Sequence, residues 1–449
     1  MRLPAIVRLF VLTSLMSGLA PAQTFKWVAT AGGTKSDKTR CVALDPQGNV
    51  LLAGEMNGDG KFGPITTAGA GNTDFFLAKV NKAGQFVWAR TLGGSQVDRG
   101  YGVASDAVGN IYVTGHYQSQ DLMVLGQPVP NAGDYDVFTA KYDPAGQLLW
   151  IRTAGGKGYD YGHGIAADHE GNVIVTGAVV GEAKFGEMTL SSPRSIFCAK
   201  YDAGGRLLWV KGSTGPGSGA GHGVAVDGKG NIYLGGLAAG TCQFGKFPVG
   251  SSKTNVALVA ALNSEGEVQW VQTLPASASA VVHEITADAE GRVWVAGIFK
   301  GRLDAGPESW STTGEKDSDG FVAQYDARGT RQWVRVMQGK GIEYLLGVAA
   351  DGKGGVYVTG EHGPDASFMG QTLPSSAPTS ILVAALDGKG GLRWLRRAGG
   401  GKASNAYTLA ADGKGTLVVG GACTGPADFD GVPVGSTQGA DLYGALLQD

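Results

Sequence analysis

The sequence predicts an all-β fold on three observations. Glycine is abundant, with 76 of 449 residues, and charged residues make up only 17%. Many short strands joined by tight turns have that composition; helical proteins do not. An Asp that opens a turn before a GNxYxxG-like strand recurs at Asp45, Asp106, Asp168, Asp227, Asp288, Asp351 and Asp412. A Trp recurs at Trp27, Trp88, Trp150, Trp209, Trp270, Trp333 and Trp394, each 18 residues before its Asp. A spacing so constant marks one structural unit. Seven units with a period near 60 mean either a stacked array or a closed ring, and the ring is a seven-bladed β-propeller.

Each unit reads as four strands, A to D. Strand A is the run before the repeated Asp, as in Gly164 to Asp168. Strand B follows the Gly-Asn turn, as in Asn172 to Gly177. Strand C ends in Tyr-Asp, as in Val137 to Asp143, and strand D carries the Trp, as in Gln147 to Thr153. The A–B and C–D links are D-x-x-G turns. Asp hydrogen-bonds the turn backbone and Gly takes positive φ without steric cost, so the links make antiparallel hairpins. The B–C links are the longest and most variable. Phe-Gly pairs there, at Phe62-Gly63, Phe185-Gly186 and Phe244-Gly245, predict local anchors for an extra hairpin. Tyr117, Phe247 and Trp310 are expected at loop tips, where a partner could touch them.

The two ends favour the ring. The last repeat runs to Asp441–Asp449, its strand C, and has no strand D. Gln23 to Thr30 reads as a strand D with Trp27 and no strand C before it. By repeat register Gln448 matches Asn81 and Gln23 matches Gly84, so the chain is cut inside one C–D turn. An open array would leave both ends with unpaired edges. The expectation is four-stranded antiparallel blades at about 34–92, 95–154, 157–213, 217–274, 278–337, 340–398 and 402–449 plus 23–31, closed by the N-terminal strand.

Residues 1–22 stand apart. Arg2 and Arg8 are followed by a largely apolar run from Leu9 to Leu19 and by Ala20-Pro21-Ala22, the pattern of a secretory leader cleaved before Gln23. A secreted protein, extracellular or periplasmic and monomeric, is expected. The formal charge of −2 with no basic run argues against nucleic acid, and no internal apolar run reaches the roughly 20 residues of a membrane helix. Cys41, Cys198, Cys242 and Cys423 show no CxxC spacing and read first as free buried thiols. A Cys41–Cys423 bridge between ring neighbours is the alternative.

The signatures Gly109-Asn-Ile-Tyr-Val-Thr-Gly115, Asp136-Val-Phe-Thr-Ala-Lys-Tyr-Asp143 and Trp150-Ile-Arg152 resemble the bacterial SBBP (seven-bladed β-propeller) repeat family. The resemblance covers essentially all of 23–449. It implies a secreted or surface-associated propeller and no particular chemistry. Asp143-x-x-Gly-x-x-x-Trp150 also loosely resembles the tryptophan-docking motif of quinoprotein dehydrogenases, with the Gly one residue early and without their vicinal Cys pair or CxxCH. The Trp series therefore reads as blade-to-blade packing.

One set of residues escapes the structural logic of the repeat. Five residues before each repeated Asp stand Arg40, Tyr101, His163, His222, His283, Leu346 and Tyr407. In a propeller strand A lines the central channel, so these form one ring at its mouth. Three of the chain's six histidines fall on consecutive blades of it. Three residues earlier come Asp37, Asp98, Asp160 and Glu343, expected at the same rim. The sharp reading is a divalent metal held by His163, His222 and His283 with one coordination position open. The broader one is a ligand pocket formed by Arg40, Tyr101, His163, His222, His283, Tyr407, Asp98, Asp160 and Glu343. Asp317-x-Asp319-Gly320 and Asn57-x-Asp59-Gly60 lack the Gly and Glu that a calcium loop needs. No HExxH or GxSxG motif occurs. A non-enzymatic scaffold binding a protein, peptide or glycan through its loop-rich face, with no required cofactor and no assigned catalytic residue, is the expectation; a lyase- or hydrolase-like enzyme at the channel mouth is the alternative.

Overall fold

The computed structural model describes residues 23–33, 35–249, 254–435 and 439–448. The leader read at 1–22 lies outside them. All described elements are β-strands, and among the described residues no helix is long and apolar enough to cross a membrane.

Four-strand antiparallel units follow one another along the chain. In the second, Asp98–Ser105 (A), Ile111–Tyr117 (B), Asp136–Tyr142 (C) and Leu148–Gly156 (D) pair in that order. The B and C strands are buried along their whole length, whereas the D strand is half exposed. Sheets covered on both faces account for runs such as Val-Leu-Leu-Ala-Gly-Glu-Met at Val50–Met56, which lack simple polar alternation. The A–B turns form as their chemistry dictates. Asp45 Oδ1 accepts the N–H groups of Gln47 and Asn49 at 3.0 and 2.8 Å, and Gly48 closes the turn with φ of 77°. The B–C links carry the extra hairpins, such as Cys242–Phe244 with Phe247–Val249, and Phe62, Phe185 and Phe244 are buried beneath them. At the far ends of the chain, Thr24–Ala31 pairs with Ala440–Gln448, which in turn pairs with Thr416–Thr424.

The tryptophans join neighbouring units. Trp88 Nε1 donates to the carbonyl of Pro144 in the next unit's C–D turn at 3.3 Å, and Trp150, Trp209 and Trp270 do the same to Ala203, Ser264 and Ala327 at 3.1–3.2 Å. The indole lies on that turn's glycine: a Cβ on Gly146 would stand 2.9 Å from Trp88. Gly146 also has φ of 79°, so no other residue suits the position. Arg90 and Arg152 add a second clasp, their Nε donating to Gly146 O at 3.0 Å and Gly205 O at 2.7 Å. The tryptophan series thus packs one unit on the next.

All four cysteines are free. The Cys41–Cys423 bridge is not formed: Cys41 Sγ faces the carbonyl of Val103, 3.9 Å away on the second unit, while Cys423 lies in the core of the last unit. Burial pushes the Cys198 and Cys423 thiols up to about 12, so neither is a nucleophile at neutral pH.

Trp88, 7% exposed, offers a direct test of the junction. Trp88→Ala is expected to lower the free energy of unfolding by about 3–5 kcal/mol. Trp88→Phe keeps the ring contact but loses the Nε1–H bond, and is expected to cost less than the alanine change. Urea denaturation of the two variants checks both the size and the order.

Candidate functional site

Each ring residue is the extra residue of a β-bulge. In the A–B pairing the register jumps over Arg40 (Thr39 to Cys41), Tyr101 (Gly100 to Gly102), His163 (Gly162 to Gly164) and His222 (Gly221 to Gly223). It jumps likewise over His283, Leu346 and Tyr407. A bulged residue drops out of the ladder and its side chain is re-aimed. Here all seven are re-aimed into one cavity of about 430 Å³, which Arg40, Tyr101, His163, His222, His283, Leu346 and Tyr407 line together. The glycines after the bulges let the A strands approach. A Cβ on Gly102 or Gly164 would meet the carbonyl of His163 or His222 at 2.8 and 2.7 Å.

Six of the seven side chains are planar, and they stack. The Arg40 guanidinium lies between Tyr407 and Tyr101, 5.4 and 5.6 Å from the ring centroids. Tyr101 faces His163 at 4.7 Å, His163 faces His222 at 4.9 Å and His222 faces His283 at 5.4 Å, with interplanar angles of 31–33°. His163 Nδ1 lies 3.1 Å from the carbonyl of His222, and His222 Nδ1 lies 3.1 Å from that of Val282; each is the N–H donor in that pair. The three imidazoles meet through ring faces rather than lone pairs, and among the described residues no group of three or more His, Cys, Asp or Glu is arranged to hold a metal ion. Burial depresses all three. His222 is pulled down to about 4, His283 to about 3, and His163 well below 6.5, with its two imidazole neighbours adding to the effect.

Asp98, Asp160 and Glu343 are not brought to the cavity. They staple main chain. Asp98 accepts Gly94 N–H at 2.8 Å on one oxygen and Gln118 N–H at 3.0 Å on the other, with Ser119 Oγ at 2.7 Å. Asp160 does the same to Gly156 and Val180, and Asp37 to Gly33 and Asn57. Glu343 reaches Gly363 N–H at 3.4 Å. Each ties the D–A link to the start of the B–C link 20 residues on. The cavity's carboxyls are instead Glu284 and Glu361. Tyr117 is no loop tip: it is 1% exposed and donates to Pro130 O. Trp310 packs against the fifth unit's core and Phe247 is half-buried.

An aromatic patch extends the stack outward. His116 lies 5.3 Å from Tyr101 and 4.8 Å from Tyr135, Tyr135 lies 4.4 Å from Tyr159, and Tyr161 lies 6.3 Å from His163. Tyr159 is 42% exposed. The only sequence signal for it was the pair of tyrosines flanking Asp160. A larger cavity, about 640 Å³, lies at the A–B turns and includes Asp45, Asp106 and Asp412. Their Oδ1 atoms are committed to turn N–H groups.

Comparison with known proteins bears on the repeat. Residues 87–116, which carry Trp88, Asp98 and Tyr101, match the family model SBBP, described as a beta-propeller repeat. The matched segment contains one docking tryptophan, one stapling carboxylate and one bulged ring residue. The chain is also 24% identical over 156 residues to the uncharacterized WD repeat-containing protein L264 of Acanthamoeba polyphaga mimivirus, a match spanning 30% of this chain and 11% of that protein. Among solved structures, it aligns over 96% of its length with a protein of unknown function from Dyadobacter fermentans (100% of that chain, TM-score 0.43, 12% identity). It aligns over 95% with Sqt1 from Chaetomium thermophilum (100% of that chain, TM-score 0.43, 10% identity).

Two outcomes follow. Asp98→Ala is expected to cost about 2–4 kcal/mol of stability, because buried N–H groups lose a charged acceptor; thermal or urea unfolding measures it. The histidines have a pH signature. An imidazole held near 4 refuses the proton that the unfolded chain takes up near 6.5, so its contribution favours folding less as pH falls from 6.5 to about 4. Glu284 and Glu361, pushed up to about 7 by burial, act in the opposite sense between about 4.5 and 7. Imidazole proton NMR separates the two: His222 is expected to titrate with a midpoint near 4, and a midpoint between 6 and 7 contradicts the buried stack.

Proposed function

We propose that the chain forms a closed seven-bladed β-propeller that acts as an exported, monomeric, non-enzymatic binding module, taking a protein, peptide or glycan at its channel mouth. Closure of the ring is supported by three details. The pairing of Phe25 and Trp27 with Leu447 and Leu446 skips Lys26, the same bulge that skips Leu149 before Trp150. Arg396 Nε donates to Gln23 O at 3.0 Å, as Arg335 Nε does to Gly390 O at 2.9 Å, so Gln23 stands in for a turn glycine. Val42 N–H, on the first A strand, reaches Thr408 Oγ1 on the last at 3.4 Å. Export rests on the leader pattern of residues 1–22.

The observation that carries the binding reading is the bulge-built stack. Seven re-aimed side chains line one cavity, and planar groups with polar edges continue from it onto Tyr135, Tyr159 and Tyr161. Aromatic faces with polar rims suit sugar rings, peptide planes and side chains alike, at low cost in side-chain entropy. The SBBP segment and the WD-repeat similarity fit a scaffold role. The lyase- or hydrolase-like alternative needs a general base or nucleophile aimed into the cavity. The three imidazoles instead present their faces to one another, and burial holds all three below their ordinary basicity.

Glycan and peptide arrays probed with purified protein identify the ligand class. Tyr101→Ala and His222→Ala, made singly in folded protein, are expected to weaken the best array ligand by about tenfold or more, the scale of truncating a central interface aromatic. Unchanged affinity in both variants would remove the channel mouth as the site.

A further inference from the structure

The repeat provides an internal comparison. Glu55 and Glu361 hold the same register, one residue after the B-strand glycines Gly54 and Gly360. Glu55, 4% exposed, is surrounded by cations: Arg40 Nη2 at 2.9 Å, Lys38 Nζ at 3.3 Å and Arg99 Nε at 2.7 Å. In register, Leu346 stands where Arg40 stands, Tyr344 where Lys38 stands and Asn405 where Arg99 stands. All three cations are replaced by neutral side chains. Glu361 is 7% exposed. It accepts from the Asn405 amide, and among the described residues no cation pairs with it. It lines the cavity beside Tyr344, Leu346 and Tyr407.

The same cavity holds a second carboxyl, Glu284, that has no counter-ion among the described residues. Glu284 follows the His283 bulge, where other units have Gly102, Gly164, Gly223 and Gly347. Its Oε1 meets only the N–H of Ile285, at 3.2 Å. Withdrawing a carboxylate from water is costly unless a cation pairs with it. Burial accordingly pushes both groups up to about 7.

We propose that Glu361, with Glu284 in the same cavity, forms a subsite for an organic cation, the guanidinium or ammonium of an arginine or lysine side chain on a binding partner. The assignment rests on the binding-module reading above. Tyr344 and Tyr407 line the same cavity as aromatic side chains, and Leu346 and Ile298 there suit a methylene stem. Arg40 already shows the arrangement in the first unit, with its guanidinium on Glu55 and between two tyrosine rings. The cavity of about 430 Å³ has room for a side chain.

Calorimetric titration tests this with defined probes: Nα-acetyl-arginine amide and Nα-acetyl-lysine amide against their neutral counterparts, the citrulline and norleucine amides, plus putrescine. The charged amides are expected to bind about tenfold or more tightly than the neutral ones. Glu361→Gln is expected to abolish that difference. Leu346→Arg, which supplies a guanidinium in Arg40's register, is expected to abolish it too and to raise the melting temperature by about 2 °C or more. Equal binding of charged and neutral probes, or a cation preference that survives in folded Glu361→Gln, would overturn the proposal. Putrescine binding more tightly than both amides would assign the site to free polyamines and overturn the partner side chain. An array ligand that needs Tyr101 and His222 but shows no cation preference would sink this inference alone. A Glu361-dependent preference without any array ligand would keep the cation site and remove the wider module reading.

Discussion

The tryptophan seated on the next unit's turn is the contact on which the rest of the molecule depends. A four-strand sheet buries little by itself, and its B and C strands are covered on both faces, so each unit needs neighbours. The indole supplies the apolar contact, and its N–H fixes where along the neighbouring turn it lands. The turn glycine is required twice, for its positive φ and because a Cβ would strike the ring. With strand D locked to the following unit, the spacing of 18 residues from Trp to the repeated Asp becomes a fixed path from that junction to the start of the next sheet.

That fixed path holds the A strands close together, and close approach has a consequence. Glycines such as Gly102 and Gly164 leave the inner backbone nearly bare. A regular strand there would present little chemistry. The bulge before each of these positions solves the problem by ejecting one residue per strand from the ladder. Those residues are where the repeat varies most in chemical type: Arg40, Tyr101, three histidines, Leu346 and Tyr407. Structural sameness and chemical difference are thus separated by one residue in sequence.

The strands, turns and docking tryptophans were legible because each has a local signature: Asp and Gly at fixed turn offsets, apolar runs and a constant interval. The ring was legible as an offset from the repeated Asp, but its geometry was not, since a bulge demands no particular residue at His163 or Leu346. Asp98 and Asp160 were read at the rim because they lie three residues from it. Their partners, Gln118 and Val180, are 20 residues away across a loop, a contact invisible to counting. Tyr117 reads as a loop tip in sequence because its B strand runs further than its signature. The pairing of Tyr135 with Tyr159 joins two units' links, and the stacking of His163, His222 and His283 face to face depends on a strand spacing that counting does not give.

Glu55 and Glu361 extend the same lesson. In a repeat protein a side chain's counterpart shows what a balanced version of its surroundings looks like, and Glu361 lacks all three charges that balance Glu55. The central claim is that ligand recognition occurs at the bulged rim and not at the turn-lined cavity of the opposite end. Hydrogen–deuterium exchange of the intact protein, with and without its tightest array ligand, tests that claim most directly. Slowed exchange confined to amides at 38–41, 99–102, 161–164, 220–223, 281–284, 344–347 and 405–408 is the predicted result. Protection centred on 45–49, 106–110 and 412–416, with the rim unchanged, would contradict it.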